Sequence, residues 1–105
     1  MAKPYNGYRS WNDWNVALWL ANDQLFHEMC VENVAYVNRL TAIPFASSNK
    51  SAYENRLKEA TNLLKLDLPS KTKDGANFNK RSISNYLRNN FDISDEPLID
   101  YTYQT

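Results

Sequence analysis

SWNDWNVALWLAND, residues 10–23, sets three tryptophans among three asparagines and two aspartates. Ser10, with Asp13 three residues later, has the form of a capping box in which Asp stands for the usual Glu or Gln, so a helix is predicted from residue 10 to 22. Stepping about 100° per residue, Trp11, Trp14, Ala17, Leu18 and Ala21 fall in one arc of roughly 120°, the expected core stripe. Val16 and Leu20 fall opposite that arc, and Asn12, Asn15, Asn22 and Trp19 lie between. An ordinary surface helix needs one apolar stripe. The surplus on this one predicts a helix sandwiched between neighbours or covered by a partner, with Val16, Trp19 and Leu20 as the candidate contacts.

Outward from this stretch, the chain reads as all-α, a bundle of about four helices. Asn22-Asp23 breaks the first helix and caps a second over 24–40, in which Leu25, Phe26, Met29, Cys30, Val34, Val37 and Leu40 keep helical spacing. Pro44 ends that region, because the residue before a proline avoids the helical conformation. Ser47, Ser48 and Asn49 offer caps for a third helix over 50–65, with Tyr53, Leu57, Ala60 and Leu64 on one face. PSKTKDGAN, residues 69–77, has the composition of a flexible loop. Ser82 introduces a fourth helix over 80–91, buried through Ile83, Tyr86, Leu87 and Phe91. The acidic tail, 92–105, alternates over Leu98–Tyr103 as an edge strand would.

With 105 residues, 43% of them hydrophobic and 13% aromatic, the chain is one small domain with a core rather than a disordered segment. No apolar run is long enough to span a membrane. The opening MAKPYNGYRS lacks a secretory signal's apolar stretch, and one cysteine precludes an internal disulfide; a cytoplasmic location is expected. The net charge of zero is unevenly spread: −1 over residues 1–49, +5 over 50–88 and −4 over 89–105.

Catalytic templates fail for want of parts. His27 is the single histidine, and with Cys30 at i, i+3 it supplies two potential ligands where a structural zinc site takes four. No phosphate-cradling glycine loop and no G-x-S-x-G elbow occurs. Glu28 and Glu32 read as a solvated face. No enzyme activity, cofactor or metal is expected. Nucleic-acid binding has more behind it: Lys65, Lys71, Lys73, Lys80, Arg81 and Arg88 crowd the loop and fourth helix, with Phe78 and Tyr86 as stacking candidates. Against it stands a pI near 6.6, where dedicated binders usually exceed about 9.

Residues 6–23 resemble a module of bacteriophage, plasmid and microbial proteins whose signature runs approximately N-G-W-x-N-Y-E-T-W-N-V-A-L-W-L-x-N-D. The match takes in Asn6-Gly7, Trp14 through Leu20, and Asn22-Asp23, and departs between them, at Tyr8, Trp11 and Asp13 among other positions. A fainter echo lies at Asn77-Phe78. The resemblance implies a mobile-element setting, in which small proteins bind and block a host protein. The expectation is therefore a non-enzymatic inhibitor of a host protein or defence complex acting by steric occlusion, with Val16, Trp19 and Leu20, and secondarily Lys80, Arg81, Arg88 and the tail tyrosines, at the contact. A nucleic-acid-binding regulator and a self-associating homodimer are the alternatives.

Overall fold

Each helix begins where a short polar side chain accepts one of the backbone N–H groups that the first turn leaves free. The computed structural model describes residues 4–99. A 3-10 turn over Pro4–Gly7 precedes α1 (Trp11–Asn22), α2 (Gln24–Arg39), α3 (Ala52–Asp67) and α4 (Lys80–Asn90). Ser10 Oγ accepts from the Asp13 N–H, and Asp23 Oδ1 from the Phe26 N–H. For α3 the cap is Ser51 rather than the serines before it, and for α4 it is Asn79, which accepts from the Ser82 N–H. The chain thus forms the expected four helices, with no strand among the described residues.

α1 packs against α2 and α4, and α3 closes the arrangement against the same two helices. The core joins Cys30, Val34 and Val37 of α2, Leu57, Ala60 and Leu64 of α3, and Ile83, Tyr86 and Leu87 of α4. On these three helices the buried side is the one that the apolar spacing predicts, except that Leu25, at the first turn of α2 and the edge of its stripe, is 63% exposed. Phe78, just ahead of α4, is fully buried and meets Phe26 edge-on at 5.6 Å. Phe78 and Tyr86 are therefore core residues, and neither presents a face on which a base could stack. A smaller apolar cluster of Ile43, Ala52 and Leu98 lies under the α2–α3 connection.

α1 is turned the other way. Val16 and Leu20, expected on the outer side, are 0% exposed, while Trp11 and Leu18 of the expected core stripe are 40% and 38% exposed. Asp13 and Asn15 are buried with Val16, Ala17 and Leu20. The cause lies in what the helix faces: beside the apolar core runs the 70–79 segment, whose backbone groups need partners once covered. Asn12 supplies partners to the Asn77 backbone, and Asn15 to the Thr72 and Asp74 side chains, so the amide-bearing side goes inward.

That segment, expected as a flexible loop, is a closed hairpin. Lys71 and Asn77 form a bridge, Thr72 N–H donates to Ala76 C=O at 2.8 Å, and Gly75 makes the turn at φ 98°, a conformation open to glycine without penalty. Asn12 pairs with both backbone groups of Asn77, accepting its N–H at 2.7 Å and donating to its C=O at 3.0 Å. The side-chain amide here acts as a one-residue strand partner.

The same device recurs at the other connections. Asn55 Oδ1 accepts the Ser47 N–H and its Nδ2 donates to the Ser47 C=O, at 2.9 and 3.0 Å. Asn38 accepts the Ser94 N–H and donates to the Asp92 C=O. Arg56, 2% exposed, donates to the carbonyls of Val37, Leu40, Ser94 and Glu96. It thereby ties the negatively polarised end of α2 to the segment after α4. Asp95 continues that segment across the start of α3, accepting the Tyr53 N–H at 2.9 Å. Most of the alternating stretch Leu98–Tyr103, and the tyrosines Tyr101 and Tyr103, lie outside the described residues.

Candidate functional site

The outward arc of α1 carries two tryptophans, Trp11 exposed and Trp14 half-buried. About 100° apart per residue, Ala21, Trp14, Leu18, Trp11 and Asn22 follow one another around the side of the helix away from the core. Ala21 is exposed, Trp14 is half-buried, and Tyr5 from the 3-10 turn lies 6.3 Å from Trp14 between ring centroids. Tyr5 is itself exposed and sits at a φ of 57°, a conformation uncommon for a bulky side chain. Beyond the break at Asp23, Leu25 adds a further exposed apolar side chain.

Trp19 stands at the margin between the two sides of the helix. Its ring is half-buried against the core cluster, and its Nε1–H donates to Asp74 Oδ2 at 2.8 Å. Lys73 Nζ sits 5.9 Å from the ring centroid, within reach of a cation–π contact. Asn15 Nδ2 donates to the same Asp74 oxygen at 3.0 Å, and Asn15 Oδ1 accepts from the Thr72 hydroxyl at 2.6 Å. These donors hold the Asp74 carboxyl below its ordinary range, the Asn15 bond contributing more than that of Trp19. Leu18, Trp19, Asn22, Asp23 and Asp74 together line an open cleft of about 370 Å³. Trp19 is thus both a packing residue and one wall of a surface recess.

The remaining predicted contacts divide. Val16 and Leu20 are buried, so they hold the core together and offer nothing to a partner. Asp13, also buried, accepts at Oδ1 from the Ser82 hydroxyl and from Arg81 Nη2, the latter at 3.3 Å, leaving Oδ2 buried without a partner. Lys80 and Arg81 are exposed at the start of α4. Arg88 is engaged within the fold: it grips both oxygens of Glu54 at 3.0 and 3.3 Å and lies over Tyr53. Trp11, Trp14 and Leu18 escape a reading from periodicity because the same spacing marks them as core.

The His27–Cys30 pair is not a reactive couple. Cys30 is fully buried, and loss of solvation pushes its thiol up to about 12, far from the thiolate that nucleophilic chemistry needs. His27 is exposed and stacks loosely against Phe91 at 6.4 Å. Among the described residues no three acidic, histidine or cysteine side chains gather as a metal-binding group, and no helix is long and apolar enough to cross a membrane.

What α1 offers is therefore recognition by shape and apolar area: an outward aromatic side, rigidly held because its inner side is hydrogen-bonded to the hairpin. Neither the curated proteins nor the solved structures contain a match to this chain. A family model does match, across residues 1–92 and so across α1 and all the segments that its amides hold: the chain belongs to the family of unknown function DUF7249.

Proposed function

We propose that this chain is a non-enzymatic binding module, of phage or other mobile-element origin, that docks on a host protein in the cytoplasm through the outward side of α1 and blocks it sterically. The observation that carries the reading is the orientation of α1: Trp11 and Leu18 face solvent although the helix has an inner side on which to bury them. Trp and Tyr dominate the energetic centres of protein interfaces, and a folded chain rarely leaves such side chains together on its surface without use. Of the positions shared with mobile-element modules, Trp14 and Leu18 lie on this outer side and Val16 and Leu20 beneath it. The resemblance thus spans the docking side and the packing that supports it.

The test is a purified complex. Tagged wild-type protein is expected to retain a host protein through size exclusion in a 1:1 complex, and Leu18→Glu to lose it while melting at the wild-type temperature. A wild-type protein that stays at 12.2 kDa in every host extract overturns the proposal. A mass of twice that value, reduced to monomer by Leu18→Glu, replaces it with self-association through the same side.

A further inference from the structure

A second recess opens between α3 and α4, sharing no residue with the α1 surface. It encloses about 320 Å³ and is lined by Lys50, Glu54, Leu57, Lys58, Thr61, Asn62, Lys80, Arg81 and Ser84. Four cations line it: Lys50 just before α3, Lys58 on α3, and Lys80 and Arg81 on α4. The single carboxylate among them, Glu54, is held by Arg88 from outside the lining. Arg81 keeps its side chain 59% exposed despite its contact with Asp13. The described part of the acidic stretch after α4 runs elsewhere, since Arg56 and Asn38 hold it against α2 and the start of α3, and Asp92, Asp95 and Glu96 are not among the lining residues. Among the described residues the cleft thus holds a local excess of positive charge, offset in part by Glu54 and by the contact of Asp13 with Arg81.

We propose that this cleft binds a single-stranded nucleic acid, with the phosphodiester backbone along the cationic rim. Two features select that ligand. The cations are strung out rather than convergent: Lys58 stands about 9 Å of helix rise beyond Ala52, the first residue of α3, Lys50 lies two residues before that start, and Lys80 and Arg81 open α4, a spread too long for one free phosphate. The aliphatic stems of Lys50, Lys58 and Lys80, over the buried Leu57, give the recess an apolar floor, which suits an unstacked base or sugar beneath a charged rim. A duplex stacks its apolar base faces away and offers only phosphates, so the floor contributes nothing to holding it.

The test is fluorescence anisotropy with a labelled 12-nucleotide single strand, beside a duplex of the same length and free inorganic phosphate as competitor. With three or four phosphates neutralised, binding of the strand is expected to weaken about 20- to 50-fold between 50 and 200 mM salt. The pair Lys58→Glu and Lys80→Glu, both on exposed side chains, is expected to reduce affinity at least tenfold with the helical circular-dichroism spectrum unchanged. Lys71→Glu, outside the cleft, is expected to leave it within twofold. Binding of the strand that ignores salt, or that Lys71→Glu weakens as much as the cleft pair does, overturns the proposal. So does equal affinity for the duplex, or displacement of the strand by millimolar phosphate.

Discussion

The two sides of α1 invert the usual relation between polarity and burial. Inward lie Asp13 and Asn15 beside Val16 and Leu20; outward lie Trp11 and Leu18. On α2, α3 and α4 the apolar stripes themselves lie inward, even though Asn55, Arg56 and Thr61 of α3 and Ser82 of α4 are buried beside them. The difference shows what decides orientation. A helix facing only other helices is turned by its apolar residues, because transfer from water rewards area alone. A helix that also covers a loop must satisfy that loop's backbone, and each buried group left unpaired costs about 1–3 kcal/mol. α1 bears on the 70–79 hairpin with Asn12, Asn15 and Trp19. That requirement sets the angle at which α1 sits.

Two leucines of α1, two residues apart, put the contrast most directly. Leu20→Ala removes a fully buried side chain and is expected to cost about 2–5 kcal/mol in urea unfolding. Leu18→Ala removes the same atoms from the outward side and is expected to cost less than about 1 kcal/mol. Equal losses at the two positions would show that the outward side is packed.

A smaller effect probes the amides. Asn15→Leu keeps the number and branching of side-chain heavy atoms and, by hydrophobicity alone, improves the core. It also leaves the Thr72 hydroxyl without its acceptor and Asp74 without one donor. The expected outcome is destabilisation of about 1–3 kcal/mol, with faster amide exchange concentrated in residues 71–77. A neutral or stabilising result would mean that water satisfies the hairpin as well as Asn15 does.

The legible part of the fold was the part written in local chemistry. Ser10, Asp23 and Pro44 mark ends within a few residues of themselves, and the α2–α4 stripes need only a count along the chain. α1 was legible as a helix and misleading as a surface. Periodicity records where apolar residues point relative to one another, and says nothing of a hairpin 55–65 residues away whose Asn77 backbone pairs with Asn12 and whose Asp74 carboxylate accepts from Trp19. The burial of Arg56 left no trace in sequence either, because its partners are main-chain carbonyls that any residue provides. The positive charge of Lys80 and Arg81 stood out, but Lys50 and Lys58 join them only through the packing of α3 on α4. Trp19 was legible as the exceptional tryptophan. Its partner Asp74 was not.

That partner supplies the smallest effect and the finest probe of the boundary between the two sides. Because the Asn15 and Trp19 donors favour the ionised Asp74 carboxylate, its folded pKa lies below the unfolded value of about 3.9. The stabilisation is therefore complete above that value and is lost only as pH falls through the lower folded one. At neutral pH nothing changes. As pH falls below about 3.9, the Trp19 indole N–H resonance is expected to shift as its acceptor is protonated, with a midpoint below that of a free aspartate. Since the carboxylate is exposed, water screens most of its contribution, and the melting temperature should hardly move as it titrates. Asp74→Asn keeps an acceptor for the indole and should abolish the titration without freeing the hairpin. The Trp11 indole, on the outward side, should remain flat throughout. If Trp11 and Trp19 titrate together, the acid transition is global, and the division of α1 into a tethered margin and a free outer side fails.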